Sequence, residues 1–135
     1  MGDNCLFNND GELTCGKEAQ IRIGSNSEFG CRYWIVANTL TFIDIGEECI
    51  FSKDCLIRST DGHSIFDIHT GENINSSLSE QYKKNIIIED HVWFGAKCSC
   101  FYGAKIGSGS IVGAHSLVKR YSLTTVLLLE ILQRL

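Results

Sequence analysis

Large apolar residues recur in this chain at every sixth position. The series runs Ile23, Phe29, Ile35; after four extra residues it resumes as Ile45, Phe51, Ile57; after a long gap it continues as Ile88, Phe94, Cys100, Ile106, Val112, Val118. The next residue is often Gly (Gly24, Gly30, Gly46, Gly95, Gly107, Gly113), and the fifth of each hexad is usually small: Ser27, Thr39, Cys49, Cys55, Cys98, Ala104, Ser110, Ser116. A helix would need an apolar period of about 3.6 or 3.5. A strand alternating with period two would not fix a Gly and a small residue at set places in every six. One large inward side chain, a Gly where the backbone turns and one small inward residue instead predict a flat strand followed by a tight corner. Three hexads close a triangular coil, as in residues 88–105, and equivalent residues then stack coil on coil around a continuous apolar column. The expected fold is all-β, a triangular prism of parallel coils over residues 21–120.

The pattern fails in three places. Residues 1–20 have no clean hexad frame, although Leu6, Leu13, Cys15 and Ile21 suit an irregular first coil. They are expected to cap the prism, whose end would otherwise expose strand edges. Residues 63–87 are polar and out of register, so they must leave the prism as a loop. An excursion of that length inside a compact solenoid is uncommon unless it is functional or disordered, and this one begins with His63-Ser-Ile-Phe-Asp67 and His69. Residues 121–135 are rich in Leu and place Glu130 and Arg134 at i, i+4, which predicts a short terminal helix.

Composition narrows the classes further. A chain of 135 residues predicts one domain, and a net charge of -4 argues against a nucleic-acid backbone binder. Seven Cys is an odd number, and none are spaced as CxxC, so reduced packing thiols are expected rather than a disulfide framework or a four-Cys zinc site. The N-terminus opens without an apolar run of signal-peptide length, and the apolar stretch 126–135 is too short to span a bilayer. A cytoplasmic protein without a membrane span is the expectation. The absence of Pro is unusual in a chain with so many turns.

Several segments carry a specific resemblance. Asp90-His-Val-Trp-Phe-Gly-Ala96, Gly103-Ala-Lys-Ile-Gly107 and Ile111-Val-Gly-Ala114 are similar to the most recurrent stretch of the hexapeptide-repeat acyltransferases, whose fold is a left-handed parallel β-helix. Ile57-Arg-Ser-Thr-Asp-Gly-His-Ser-Ile-Phe-Asp67 resembles the sugar O-acetyltransferase branch that modifies bacterial surface polysaccharides. The resemblance covers about residues 21–120. It implies acetyl-CoA as co-substrate, a sugar or glycan hydroxyl as acceptor, and a homotrimer whose sites lie between neighbouring subunits.

It also implies roles for particular residues. His63 corresponds to the catalytic base; an imidazole with an ordinary pKa of about 6.5 can take the hydroxyl proton and return it to the departing thiol. A carboxylate that orients the ring would fix its tautomer, and Asp67 and Asp61 are both candidates. Trp93 corresponds to a residue near the cleft and is expected to contact the acceptor. Backbone at Ala96 and Ala114 would contact the pantetheine arm, and Lys119 and Arg120 stand where the family presents a Thr-Lys pair to the nucleotide end. No Ser or Cys sits in a nucleophile motif, so direct transfer is expected. His69 reads as solvated; His91 and His115, both fourth in their hexads, read as coil surface or interface. After Lys119 the chain departs from the family, whose Pro-bearing loop and Gly-Asn-Pro-Ala-Lys turn are replaced by 121–135.

Two other functions share the prism. A γ-carbonic-anhydrase-like zinc lyase would use His ligands, but His63, His91 and His115 are widely separated and that family's close His pair is missing, so no metal is expected. A non-catalytic scaffold whose donor groove was lost with the altered tail is the third reading. The acceptor sugar, its hydroxyl and the acyl length are not encoded in the repeats.

Overall fold

The computed structural model describes residues 1–76 and 84–119, together with the backbone of 122–123. Every regular element among them is a short strand, and the strands, numbered in chain order, lie on three parallel sheets. The first face holds β1 (Leu6–Phe7), β4 (Glu28–Phe29), β7 (Ile50–Phe51), β10 (Trp93–Phe94) and β13 (Ile111–Val112). The second holds β2 (Glu12–Cys15), β5 (Trp34–Ala37), β8 (Leu56–Arg58), β11 (Ser99–Phe101) and β14 (Leu117–Val118). The third holds β3 (Gln20–Ile23), β6 (Phe42–Ile45), β9 (Ile86–Ile88), β12 (Lys105–Ile106) and β15 (Ser122–Leu123). This is the left-handed parallel β-helix that the hexads and the resemblance predict, in five coils.

The inward residue of each hexad is buried, and parallel pairing in register sets like on like. Phe29 pairs with Phe51 and Phe51 with Phe94. Neighbouring strands lie about 4.8 Å apart, so aromatic rings at equivalent positions must stack. Phe7, Phe29, Phe51 and Phe94 form a column with centroid separations of 4.9, 4.5 and 4.8 Å. Ile35 and Ile57 line the second face, and Ile45, Ile88 and Ile106 the third.

The corners differ from the expected chemistry. Left-handed backbone falls on the fourth residue of a hexad, at Asn26, Arg32, Glu48, Asp54, His91, Lys97, Gly103, Gly109 and His115. The second-position Gly has another role: a Cβ on Gly24 would lie 2.5 Å from the Gly46 carbonyl carbon, and one on Gly95 would lie 2.6 Å from the Ala114 nitrogen. Close stacking of the coils therefore selects Gly there, while the turn itself tolerates many residue types.

Four details differ from the expectation. Thr39 is not the small inward residue of its hexad; the four extra residues carry it outward, and Thr41 is buried instead, hydrogen-bonded to Ser59 Oγ at 2.6 Å. Residues 1–20, with 21–23, supply the three strands of the first coil, which continues the column through Phe7. The excursion ends one residue or more before position 87, because Ile86 already pairs with Ile43. In the tail, Ser122–Leu123 pairs with Lys105–Ile106 as a strand where a helix was expected, since the chain there still follows the third face. The rest of the expected helix lies outside the described residues.

Candidate active site

At Arg58 the second face stops and the excursion begins. Thr60 organises the exit: its carbonyl accepts from Arg58 Nε at 2.8 Å, and its Oγ1 accepts from the Gly62 amide at 3.0 Å. Gly62 has φ +88°, a conformation that most side chains avoid. The chain then folds back on itself. The amides of Asp67 and Ile74 donate to the carbonyls of Glu72 and Ile65 at 2.8 and 2.9 Å, with Phe66 bridged antiparallel to Asn73.

Asn75 pins this hairpin to the prism. Only 6% exposed, it accepts from the Ile65 amide at 2.7 Å and donates from Nδ2 to the His63 carbonyl at 2.9 Å and to Asp61 Oδ2 at 3.0 Å. Its own carbonyl accepts from the buried Lys84 ammonium. A buried, fully used amide of this kind fixes local geometry, because leaving any of these groups unpaired would be costly.

His63 consequently projects into an open cleft of about 540 Å³. It is lined by Trp34, Val36 and Asn38, by Arg58 and Thr60 from the next coil, and by Gly62, His63, Ser64, Asn73, Asn75 and Ser76 of the excursion. The imidazole is exposed, and its Nδ1 lies 3.4 Å from the Ser64 carbonyl oxygen.

The two candidate orienting carboxylates have different surroundings. Asp67 closes the hairpin tip: its Oδ1 accepts from the amides of Thr70 and His69, both at 2.8 Å, and these bonds lower its pKa. Asp61 shares Asn75 with the His63 carbonyl, so it is linked to the backbone of the expected base rather than to its ring.

The other predicted residues lie elsewhere on the prism. Trp93 stands on the first face, 48% exposed, with its indole N–H 3.4 Å from Ser52 Oγ. Ala96 and Ala114 lie at the corner between the first and second faces; the Ala96 carbonyl accepts from the His115 amide at 2.9 Å. Lys119 places its ammonium 4.3 Å from the Tyr102 ring centroid, within cation–π range. Arg120 lies outside the described residues. His91 Nδ1 is 3.1 Å from Glu48 Oε2 on the coil surface, and His69 is exposed. Among the described residues no three His, Cys, Asp or Glu side chains are grouped to hold a metal ion.

All seven cysteines are free thiols. Burial raises the thiol pKa of Cys49 and Cys98, pushes Cys55 up to about 12 and Cys100 higher still, so none of these four offers a ready thiolate. The hexad pattern alone did not reveal Trp34, Arg58 and Asn75. The signal for the first two is register: Trp34 pairs with Leu56 and Val36 with Arg58, so residues 22 apart share an outer stripe.

No family model matches the chain. A polysialic acid O-acetyltransferase from Escherichia coli O1:K1 / APEC is 34% identical over 93 residues, which is 69% of this chain and 28% of that protein. One from Neisseria meningitidis is 36% identical over 61 residues, 45% of this chain and 26% of that protein. A galactoside O-acetyltransferase from Lactococcus lactis subsp. lactis (strain IL1403) is 27% identical over 125 residues, 89% of this chain and 53% of that protein. The crystal structure of the polysialic acid O-acetyltransferase OatWY matches 88% of this chain and 63% of its own with a TM-score of 0.65 at 22% identity, a likeness of fold. The chain thus spans 28% and 26% of the length of the two polysialic acid O-acetyltransferases it matches in sequence. The resemblance read from the hexads and the His63 segment is borne out by these relatives.

Proposed function

We propose, on the premise that this chain is a hexapeptide-repeat β-helix related to the O-acetyltransferases, that it transfers acetyl from acetyl-CoA to a sugar hydroxyl of a bacterial surface polysaccharide or its precursor. The observation that carries the reading is His63, exposed in an open cleft at the root of a hairpin pinned by Asn75. His63 accepts the hydroxyl proton as the sugar oxygen attacks the thioester carbonyl. The C–S bond of the tetrahedral intermediate then breaks, and the same proton passes to the departing coenzyme A thiolate. Cys49, Cys55, Cys98 and Cys100 are raised in pKa by burial, which favours this direct route over an acyl-enzyme. Asp61 and Asn75 hold the backbone from which the base projects.

The donor side is assigned to backbone at Ala96 and Ala114, with Lys119 and Arg120 toward the nucleotide. Trp93 stands on the first face and Ala96 at its corner, whereas the His63 cleft is lined by Trp34, Val36 and Arg58 of the second face. A homotrimer in which a neighbouring subunit brings its donor side to this cleft resolves that separation. Seven unpaired thiols accord with a cytoplasmic location, where acetyl-CoA is made and used. Replacing His63 with Ala, with folding checked by circular dichroism, should slow acceptor-dependent thiol release from acetyl-CoA by about 10²- to 10⁴-fold. Near-normal turnover would sink the assignment.

A further inference from the structure

We infer that Arg58 recognises a carboxylate of the acceptor, so that this cleft selects acidic sugars. The inference builds on the O-acetyl-transfer reading for what the cleft is used for, but it stands on the surroundings of Arg58. Among the described residues no Asp or Glu lines the cleft, and Arg58 is the one Lys or Arg that does. That is a notable local balance in a chain with 16 acidic and 12 basic residues.

The guanidinium is held by neutral groups. Its Nε donates to the Thr60 carbonyl at 2.8 Å, its central carbon lies 5.9 Å from the Trp34 ring centroid, and Gly62 leaves it room, since a Cβ there would come within 2.5 Å of an Nη atom. None of these contacts neutralises it, and among the described residues no carboxylate forms an ion pair with it. Arg32 provides the contrast: its Nε and Nη2 hold Asp54 in a two-point pair at 2.6 and 3.0 Å. Arg58 is thus a preset fork with no ion-paired carboxylate among the described residues. A planar guanidinium suits two-point recognition of a carboxylate. Beside it Trp34, 46% exposed, offers an aromatic surface on which a sugar ring can pack. A sugar held by its carboxylate at Arg58 would lie in the cleft that His63 lines, so Arg58 fixes which acceptors present a hydroxyl to the base.

The test is calorimetric titration without an acyl donor, using a sialic acid oligomer and the same oligomer with its carboxyls reduced to alcohols. The intact protein should bind the acidic oligomer about 10- to 100-fold more tightly than the reduced one, the range expected of a charged hydrogen-bonded contact. Arg58→Gln should abolish that preference while leaving the affinity for coenzyme A unchanged. Arg58→Lys keeps the charge and the stem but not the fork; it should retain part of the preference, and it serves as the test should the Gln variant fail to fold. Equal affinity for the two oligomers, no binding of either, or full preference in both variants would overturn the inference. So would weakened coenzyme A binding with the preference intact, which would assign Arg58 to a donor phosphate. Arg58-dependent binding without any acetyl transfer would leave the inference standing and remove the O-acetyl-transfer reading.

Discussion

Phe51 lies at the middle of the aromatic column, 1% exposed, with Phe29 on one side at 4.5 Å and Phe94 on the other at 4.8 Å. Truncation to Ala removes a buried ring and opens a cavity that two neighbouring coils cannot fill without shifting their strands, which for Phe→Ala costs about 3–5 kcal/mol. Loss of two ring–ring contacts, each about 0.5–1.5 kcal/mol beyond area, puts Phe51→Ala near the top of that range. Phe7 is the control. It is half-buried, stacks on Phe29 alone at 4.9 Å and meets Tyr33 at a tilt, so Phe7→Ala should cost about half as much. Against a total stability of about 5–15 kcal/mol, the Phe51 variant should be marginally folded and the Phe7 variant robust. Urea unfolding followed by circular dichroism measures both, with midpoints compared at matched slopes. A Phe51→Ala cost below about 2 kcal/mol, or no greater than that of Phe7→Ala, would refute the stacked column as the main source of cohesion.

Other expectations follow from the corners, the thiols and the charges. Gly46→Ala should destabilise by about 1–3 kcal/mol, because its Cβ would lie 2.7 Å from the Asp90 nitrogen, whereas Gly109→Asn, at φ +73°, should be nearly neutral in the same urea titrations. Cys49, Cys55, Cys98 and Cys100 should resist a thiol reagent in the native protein while the exposed Cys15 reacts at once; rapid labelling of all seven would contradict the packing. The Arg32 hydrogen bond holds the Asp54 carboxyl below its ordinary range, so this pair's contribution is present above about pH 3.9 and is lost as pH falls through the lowered value. The gap in urea midpoint between the protein and Arg32→Gln should therefore close on acidification, and a widening gap would contradict the pairing. Asn75→Ala frees the His63 carbonyl, the Asp61 carboxylate and the Ile65 amide together, and should lower turnover far more than it lowers the melting temperature.

Much of the prism was legible because a hexad writes its core position and its stacking Gly into every repeat. Ile23 through Val118 all point inward as the period requires. The corners were misread because turn and Gly were assumed to coincide: the turn sits two residues later, where Glu48 or Arg32 serves as well as Gly103. Thr39 failed because four inserted residues shift the hexad frame locally, which period counting cannot locate. The site was less legible. His63 stood out through its motif, but Trp34 and Arg58 are adjacent only once coil register is known, and Asn75 comes from an aperiodic segment whose contacts are all tertiary. The different surroundings of Asp61 and Asp67 were likewise hidden: only the folded hairpin shows Asp67 capping its own tip and Asp61 reaching Asn75.

The central claim is that His63 serves a thioester donor. A crystal structure of the assembled protein with coenzyme A tests it most directly. The account predicts a homotrimer with the ligand's sulfur in the His63 cleft, within about 3–4 Å of the imidazole or one water away, and its pantetheine arm along Ala96 and Ala114 of a neighbouring copy. Coenzyme A bound with its thiol remote from every His63, or a monomer in which the cleft and the donor side never meet, would contradict it.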